Sequence, residues 1–355
     1  MPSVALAQAD LDRRTLPLRA LTRAAARAPM RVSLAGGGTD VPPLARGIGG
    51  RVVCAAIDLH VRATVEPFDR GWVRLEGSWG LADAGTSRPA PSTLTRRAGD
   101  PPSTDLPFRM LEAVRAIAGA DDGVRICVES DLTPGTGLGG SASAAVALLA
   151  AFHAASGEPI TASRLALLAA HIERDVLGLR CGLQDQICAS AGGILDLRFF
   201  DDGFDITPLA APPALLRDLA AGVLLVDTRV RRVSGEVLNI ANDRAPADLQ
   251  SDLVAAADDT ARGFRLGSLP LVLAGMRRSA SAKLRRGGPS ALPRDWIRKL
   301  VSLGAVVVRA CGAGGGGHVL LWADPASHPA LIRAVSPCIA RRPLLGVPGV
   351  EIVEY

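Results

Sequence analysis

Ten consecutive residues of this 355-residue chain have the composition of an anion cradle: Pro134, Gly135, Thr136, Gly137, Leu138, Gly139, Gly140, Ser141, Ala142 and Ser143. A glycine-rich turn lets the backbone approach a ligand with no Cβ in the way. An apolar helical pattern begins directly behind it, so free N–H groups and the positive end of a helix dipole would point into the turn. Together these features make a phosphate site, and Ser141 and Ser143 add hydroxyls at the helix start. The stretch satisfies G-x-G-x-x-G but lacks the context of a dinucleotide fingerprint. Residues 131–134 separate the preceding strand from the glycines, and two helices follow in place of a helix and a strand. No G-x-x-x-x-G-K-[ST] is present, which excludes a Walker-type loop.

Further clusters bring ionisable groups to glycine turns. Arg31 and Asp40 stand at the two ends of a segment containing Gly36, Gly37, Gly38 and Thr39. Asp185 follows Gly178 and Gly182, is flanked by Gln184 and Gln186, and has Glu173 upstream on a predicted helix. A second glycine run, 312–317, includes Gly314 and Gly315. Taken singly, Asp40 could cap a turn and Arg31 could make a surface ion pair. His171 and His318 read as packing or hydrogen-bonding histidines, and Gln184 and Gln186 as residues that shape a pocket.

The elements that must position these groups read as α+β. An apolar segment at 31–35 runs into the first glycine turn, and residues 51–66 and 72–76 read as strands. Residues 80–105 show little periodicity and read as a long mobile loop. A helix at 108–119 and a strand at 124–128 lead to the phosphate turn. Helices at 141–156 and 162–177 and a strand at 193–198 follow. Glycine and prolines between 203 and 213 mark a lobe boundary. Beyond it come a strand at 222–227, helices at 234–242, 246–263 and between 270 and 303, and strands at 305–309 and 318–322. The expected division is an N-terminal extension over 1–27, a first lobe over 28–205 and a second over 206–355.

Composition narrows the function classes. Hydrophobic residues make up 48% and charged residues 21%, as in a soluble globular protein. No apolar run reaches the roughly 18 residues of a membrane span. The net charge of +5 suits anionic small molecules, and aromatics at 3% leave few base-stacking platforms, so nucleic acid is not an expected partner. Cys54, Cys127, Cys181, Cys188, Cys311 and Cys338 form no C-x-x-C pair. They read as free thiols in a reducing, cytoplasmic setting and not as a zinc site. Residues 1–28 are rich in Ala and Arg and imitate a transit peptide, but Asp10 and Asp12 argue against one.

Read together, the clusters at 31–40, 134–143 and 178–186 and the run at 312–317 resemble the GHMP kinase superfamily, in order and separation, from about residue 28 to 353. Within it, residues 27–40, Ile57, Asp58, Leu59 and the run 311–317 look most like the sugar kinases that act on D-glycero-D-manno-heptose 7-phosphate. The resemblance implies a two-lobe GHMP kinase fold, with an N-terminal lobe like ribosomal protein S5 and a C-terminal ferredoxin-like α/β lobe. It implies an ATP- and Mg²⁺-dependent phosphotransferase that phosphorylates the anomeric hydroxyl, giving a 1,7-bisphosphate from the heptose. By the same resemblance residues 134–143 wrap the ATP phosphates, and Ser141 and Glu173 serve Mg²⁺. Asp185 accepts or orients the hydroxyl proton with Arg31 beside it. Asp40, with Gly37, Gly38 and Thr39, meets the sugar, and Gly314 and Gly315 close against phosphates or substrate.

The chain departs from that pattern in places. Gly140 stands where a first serine is usual, and 306–309 read Val, Val, Val, Arg in place of Gly-Gly-Lys, so that Arg309 keeps the charge as a planar fork. A substrate phosphate would need its own cations, for which Arg229, Arg231, Arg232, Arg277 and Arg278 are candidates by charge clustering. The alternatives are a fucokinase-like or other hexose 1-kinase, a non-catalytic sugar sensor on the same fold, and a nicotinamide-dependent oxidoreductase. The expected partner is a small sugar or sugar phosphate, with a homodimer as the expected assembly and no membrane.

Overall fold

A computed structural model describes residues 4–5, 21–41, 49–80, 90–201, 203–230, 247–286 and 292–354. The first part of the chain runs β1 (Val4–Ala5), β2 (Ala24–Ala35), β3 (Gly50–Pro67), β4 (Trp72–Trp79), β5 (Ser92–Arg97), α1 (Leu106–Ala118) and β6 (Val124–Ser130). It continues through α2 (Gly140–Ser156), α3 (Ala162–His171), α4 (Gln184–Ala191), β7 (Ile194–Phe199) and β8 (Gly203–Pro208). Then come α5 (Pro213–Gly222), β9 (Val223–Asp227), α6 (Ala247–Arg265), α7 (Leu269–Arg286), α8 (Arg294–Ser302), β10 (Ala305–Ala310) and β11 (His318–Ala323). The last elements are α9 (His328–Val335), β12 (Ile339–Arg341) and β13 (Glu351–Val353).

The 18-residue β3 organises the larger sheet. Its β-branched residues, Val52, Val53, Ile57, Val61, Thr64 and Val65, suit a pleated, packed surface. Its first half pairs β7 and its second half pairs β6, while β2 runs antiparallel along its other edge from Ala24 opposite Val65 to Ala35 opposite Val53. That register puts Arg31 opposite Ala56, in the middle of the sheet. Against it lies α2, buried from Ala142 through His153 because it is apolar all round. Its many alanines let the helix approach β2 and β3 closely.

A second, four-stranded antiparallel sheet runs β10-β11-β9-β12. α7 and α8 pack on β10, and the α6/α7 pair also reaches β2 and β3 of the first sheet. Two polar ties fix that junction. The Gly36 N–H donates to Ser279 Oγ of α7 at 3.1 Å. Arg51 of β3 donates to both carboxylate oxygens of Asp196 at 2.8 and 2.6 Å, and also to Asp258 of α6.

The α+β, two-lobe reading stands, with changes in detail. The segment 80–105 is not a loop throughout: Ser92–Arg97 is a strand paired with β4, and 81–89 lie outside the described residues. Alternation is weak in 92–97, since only Arg96 of that strand is buried, so its pairing is set by β4 and not by a pattern of its own. The helix read over 162–177 ends at His171 and continues as one π turn, Ile172–Val176. The helix read at 234–242, and Arg231 and Arg232, lie outside the described residues. β2 begins at Ala24, ahead of the boundary at 28; β8 spans the boundary at 205; and β13, from the C-terminal range, pairs β2 in the first sheet. Among the described residues no helix is long and apolar enough to cross a membrane.

Candidate active site

The phosphate turn joins β6 to α2. Gly135, Gly137 and Gly139 have φ of 80°, 77° and 80°, a left-handed conformation at every second residue that L side chains resist. The chain is held in this shape from both sides. Leu138, fully buried, gives its carbonyl to the Arg31 N–H at 3.0 Å, and the Thr136 carbonyl accepts from the His318 N–H at 3.0 Å. A Cβ at Gly137 would lie 2.9 Å from the Cys311 carbonyl oxygen, so the second glycine run packs directly on the turn. The first N–H groups of α2, which have no intrahelical acceptor, therefore open at a braced loop.

The two serines of the turn differ. Ser143 is buried and donates inward to the Pro29 carbonyl at 2.8 Å, so its hydroxyl is not available to a phosphate. Ser141 is exposed and donates to Glu173 Oε1 at 2.6 Å. Positions two apart on a helix point to nearly opposite sides, which a linear motif does not reveal. A Cβ at Gly140 would meet only Met30 Cε, at 3.6 Å. Gly140→Ser is therefore expected to fold normally and to gain up to about 1 kcal/mol, because glycine is the costlier residue in a helix. Calorimetric melting of the variant checks this, and a lower Tm would contradict it.

Glu173 sits in the π turn after α3, an arrangement frequent at functional sites. Its carboxyl is 3% exposed, with Ser141 on one oxygen and Gln186 Nε2 on the other. Burial pushes it up to about 7, against the pull of those two hydrogen bonds. Gln186 thus shapes the site as expected, by fixing this carboxylate.

Asp185, on the first turn of α4, forms a forked pair with Arg31 from β2: Nε to Oδ1 at 2.8 Å and a terminal nitrogen to Oδ2 at 2.7 Å. The other terminal nitrogen of Arg31 donates to the Gly137 carbonyl at 2.7 Å, so one guanidinium ties the acid to the phosphate turn. Burial works against the Arg31 charge, but the Asp185 carboxylate outweighs it and holds Arg31 above the usual range. A Cβ at Gly139 would be 3.3 Å from Asp185 Oδ2, which places the acid at the turn itself.

Asp40 is 2% exposed and clamped by the segment that carries Asp185. Its carboxylate accepts from the Gln184 N–H at 3.1 Å, from Gln184 Nε2 at 2.9 Å and from the Gly38 N–H at 3.2 Å. A Cβ at position 182 would stand 1.7 Å from Asp40 Oδ2, so only glycine fits there. Burial, then the nearby Asp185, raise the Asp40 carboxyl above its ordinary value. Thr39 is fully buried, and its hydroxyl is bonded to the Gly36 and Arg51 backbone; it staples the turn and does not face a ligand.

Arg309, the planar fork at the end of 306–309, lies inside the fold. It is 2% exposed beneath the Gly36–Asp40 turn, donating to the Leu34 carbonyl and, at 3.1 Å, to Ser33 Oγ. No carboxylate pairs with it among the described residues, and burial lowers it to about 10. Gly312 and Gly317 touch Gly137 and Thr136. The run containing Gly314 and Gly315 is thus aligned on the phosphate turn and not on Asp40. Arg278 is spent on Asp252 and Asp259 at an exposed face of α6 and α7, and Arg277 is exposed on the same helix. Arg229 is exposed beside the second glycine run with a left-handed φ of 61°. His318 Nδ1 lies 3.2 Å from the Thr136 carbonyl and His171 Nδ1 lies 2.7 Å from Asp175, hydrogen-bonding roles as read. Two residues were missed. Ser279 and Lys283 of α7 reach the site, and only the helical spacing of four between them marked a common face.

A braced phosphate turn, a cation–acid pair and a hydroxyl–carboxylate pair, set between two sheets, define a phosphoryl-transfer enzyme. Residues 105–193 match the model for the GHMP kinases N terminal domain and residues 260–337 the model for GHMP kinases C terminal. The chain belongs to the GHMP kinases and is a phosphotransferase. It is 25% identical over 327 residues to D-glycero-alpha-D-manno-heptose 7-phosphate kinase of Campylobacter jejuni, covering 86% of this chain and 91% of the relative. It is 31% identical over 206 residues to mevalonate kinase of Aeropyrum pernix, covering 55% and 59%. Among solved structures, a D-glycero-D-manno-heptose 1-phosphate kinase from Bacteroides thetaiotaomicron superposes with a TM-score of 0.72 at 21% identity, covering 94% of this chain and 99% of that one.

Proposed function

We propose that this chain is an ATP-dependent sugar kinase that phosphorylates the anomeric hydroxyl of D-glycero-D-manno-heptose 7-phosphate. The observation that carries the reading is Arg31, which grips Asp185 with two nitrogens and the phosphate turn with the third. Asp185 accepts the proton of the attacking hydroxyl as the new O–P bond forms and the β–γ bridge breaks, with ADP as the leaving group. Arg31 offsets the charge on the transferring group, and the α2 N-terminus holds the remaining phosphates. Asp40 and Gln184 orient the sugar hydroxyls.

Ser141 and Glu173 fit Mg²⁺. The ion takes few protein oxygens beside phosphate and water, and a buried carboxyl that resists ionisation is the group a cation would relieve. When bound, Mg²⁺ would neutralise phosphate charge.

The second reading, a hexose 1-kinase without a substrate phosphate, is favoured by one observation: Arg278, a candidate for that phosphate, is paired away from the cleft. Coupled ADP release over heptose 7-phosphate, fucose, galactose, mannose and mevalonate decides between them. Heptose 7-phosphate is expected to exceed the others in kcat/KM by at least about 100-fold. A preference for an unphosphorylated hexose would replace the reading, and turnover of mevalonate alone would end it.

A further inference from the structure

Lys283 on α7 donates from Nζ to the Gly312 carbonyl at 2.7 Å. Gly312 is in contact with Gly137: a Cβ at Gly312 would lie 2.8 Å from the Gly137 Cα. The ammonium is therefore one peptide group from the phosphate turn, where Arg31 bonds the Gly137 carbonyl. One helical turn back, Ser279 of the same face accepts the Gly36 N–H, so this face of α7 spans from the Asp40 turn to the phosphate turn.

Two further observations single out this side chain. Arg31 is paired with Asp185, and Arg309 bonds the backbone beneath the Gly36–Asp40 turn. The sequence holds 38 arginines and only two lysines, Lys283 and Lys299. Lys283 is half-buried, and its ammonium is a compact point charge with rotatable donors where an arginine would present a planar fork.

We propose that Lys283 is a binding residue of this kinase, supplied by the second lobe, whose ammonium contacts a phosphate group at the junction of the 134–143 turn and the 312–317 run. The inference rests on the kinase reading above. The phosphate has two sources, the terminal phosphate of ATP or a phosphate carried by the acceptor. An ammonium has three donors, so a phosphate oxygen can join Gly312 as an acceptor without displacing it.

The test compares wild type with Lys283→Met, Lys283→Arg and Lys299→Met, the last an exposed lysine on α8. Calorimetric titration with Mg²⁺ and a non-hydrolysable ATP analogue, and separately with ADP, reads the nucleotide arm. KM for heptose 7-phosphate against its unphosphorylated sugar reads the acceptor arm. Lys283→Met is expected to weaken either the ATP analogue more than ADP, or the phosphorylated acceptor more than the plain sugar, by about 10–100-fold. Lys299→Met is expected to change neither, and Lys283→Arg to recover the affinity only in part. Unchanged values in both arms overturn the proposal while leaving an active kinase. A wild type that binds no ATP analogue overturns the kinase reading itself. Should Lys283→Met fold poorly, Lys283→Arg serves alone, and wild-type values in both arms for that variant count against the proposal.

Discussion

Asp185→Asn is expected to lower kcat by about a thousandfold, within the range removed with a general base. The asparagine keeps an oxygen for one Arg31 nitrogen but cannot take the proton of the attacking hydroxyl. Stability is expected to fall by only about 1–2 kcal/mol, because the Asp185 side chain is 27% exposed and water can partly replace the lost charge. Arg31→Ala is expected to lose as much activity but more stability. Arg31 is buried, and its removal strips a donor from the Gly137 carbonyl and leaves a cavity beside the phosphate turn. The two variants thus differ in Tm at similar kcat. Steady-state kinetics with calorimetric melting checks this, and near-normal kcat in Asp185→Asn would remove Asp185 from the chemistry.

Glu173→Gln is expected to cut activity by about a hundredfold or more while making the metal-free protein more stable above neutral pH. In an unfolded chain this carboxyl titrates near 4.5; folded, burial holds its proton up to about 7. Between those values the folded state binds the extra proton, so stability falls as pH rises through the window. The full penalty, on the order of 3 kcal/mol, applies above pH 7. Glutamine keeps the shape and can still accept from Ser141, but has no charge to bury. Melting in EDTA at pH 4.5 and pH 8 should therefore give similar Tm values for both proteins at the lower pH and a Tm higher by several degrees for the variant at the upper one. A wild type equally stable at both pH values relative to the variant would show that Glu173 is ionised without metal.

The legible parts of the site were those set by short-range chemistry. Left-handed φ at Gly135, Gly137 and Gly139 and the start of α2 behind them follow from the residues themselves. So did most elements of the first lobe, because β-branched runs and the apolar α2 pattern are strong local signals. The 92–97 strand was not legible, since it alternates too weakly to mark a face and is fixed by its partner β4. β13 was assigned to the second lobe by position along the chain, yet closes the edge of the first sheet beside β2.

By itself the sequence determined a phosphate turn at a helix N-terminus, an α+β chain and a set of acids and cations able to serve phosphoryl transfer. Only the tertiary structure decided what each group does. Arg31 and Asp185 are 154 residues apart and become a pair through the packing of α4 on β2. Ser141 faces Glu173 while Ser143 turns into the core, and Arg309 is sealed under a turn while Lys283 reaches the glycine run. The physical reason is one of direction and dielectric. Residue type fixes what a side chain can donate, accept or carry, but burial and helical phase against a packed core fix where it points and whether its charge survives.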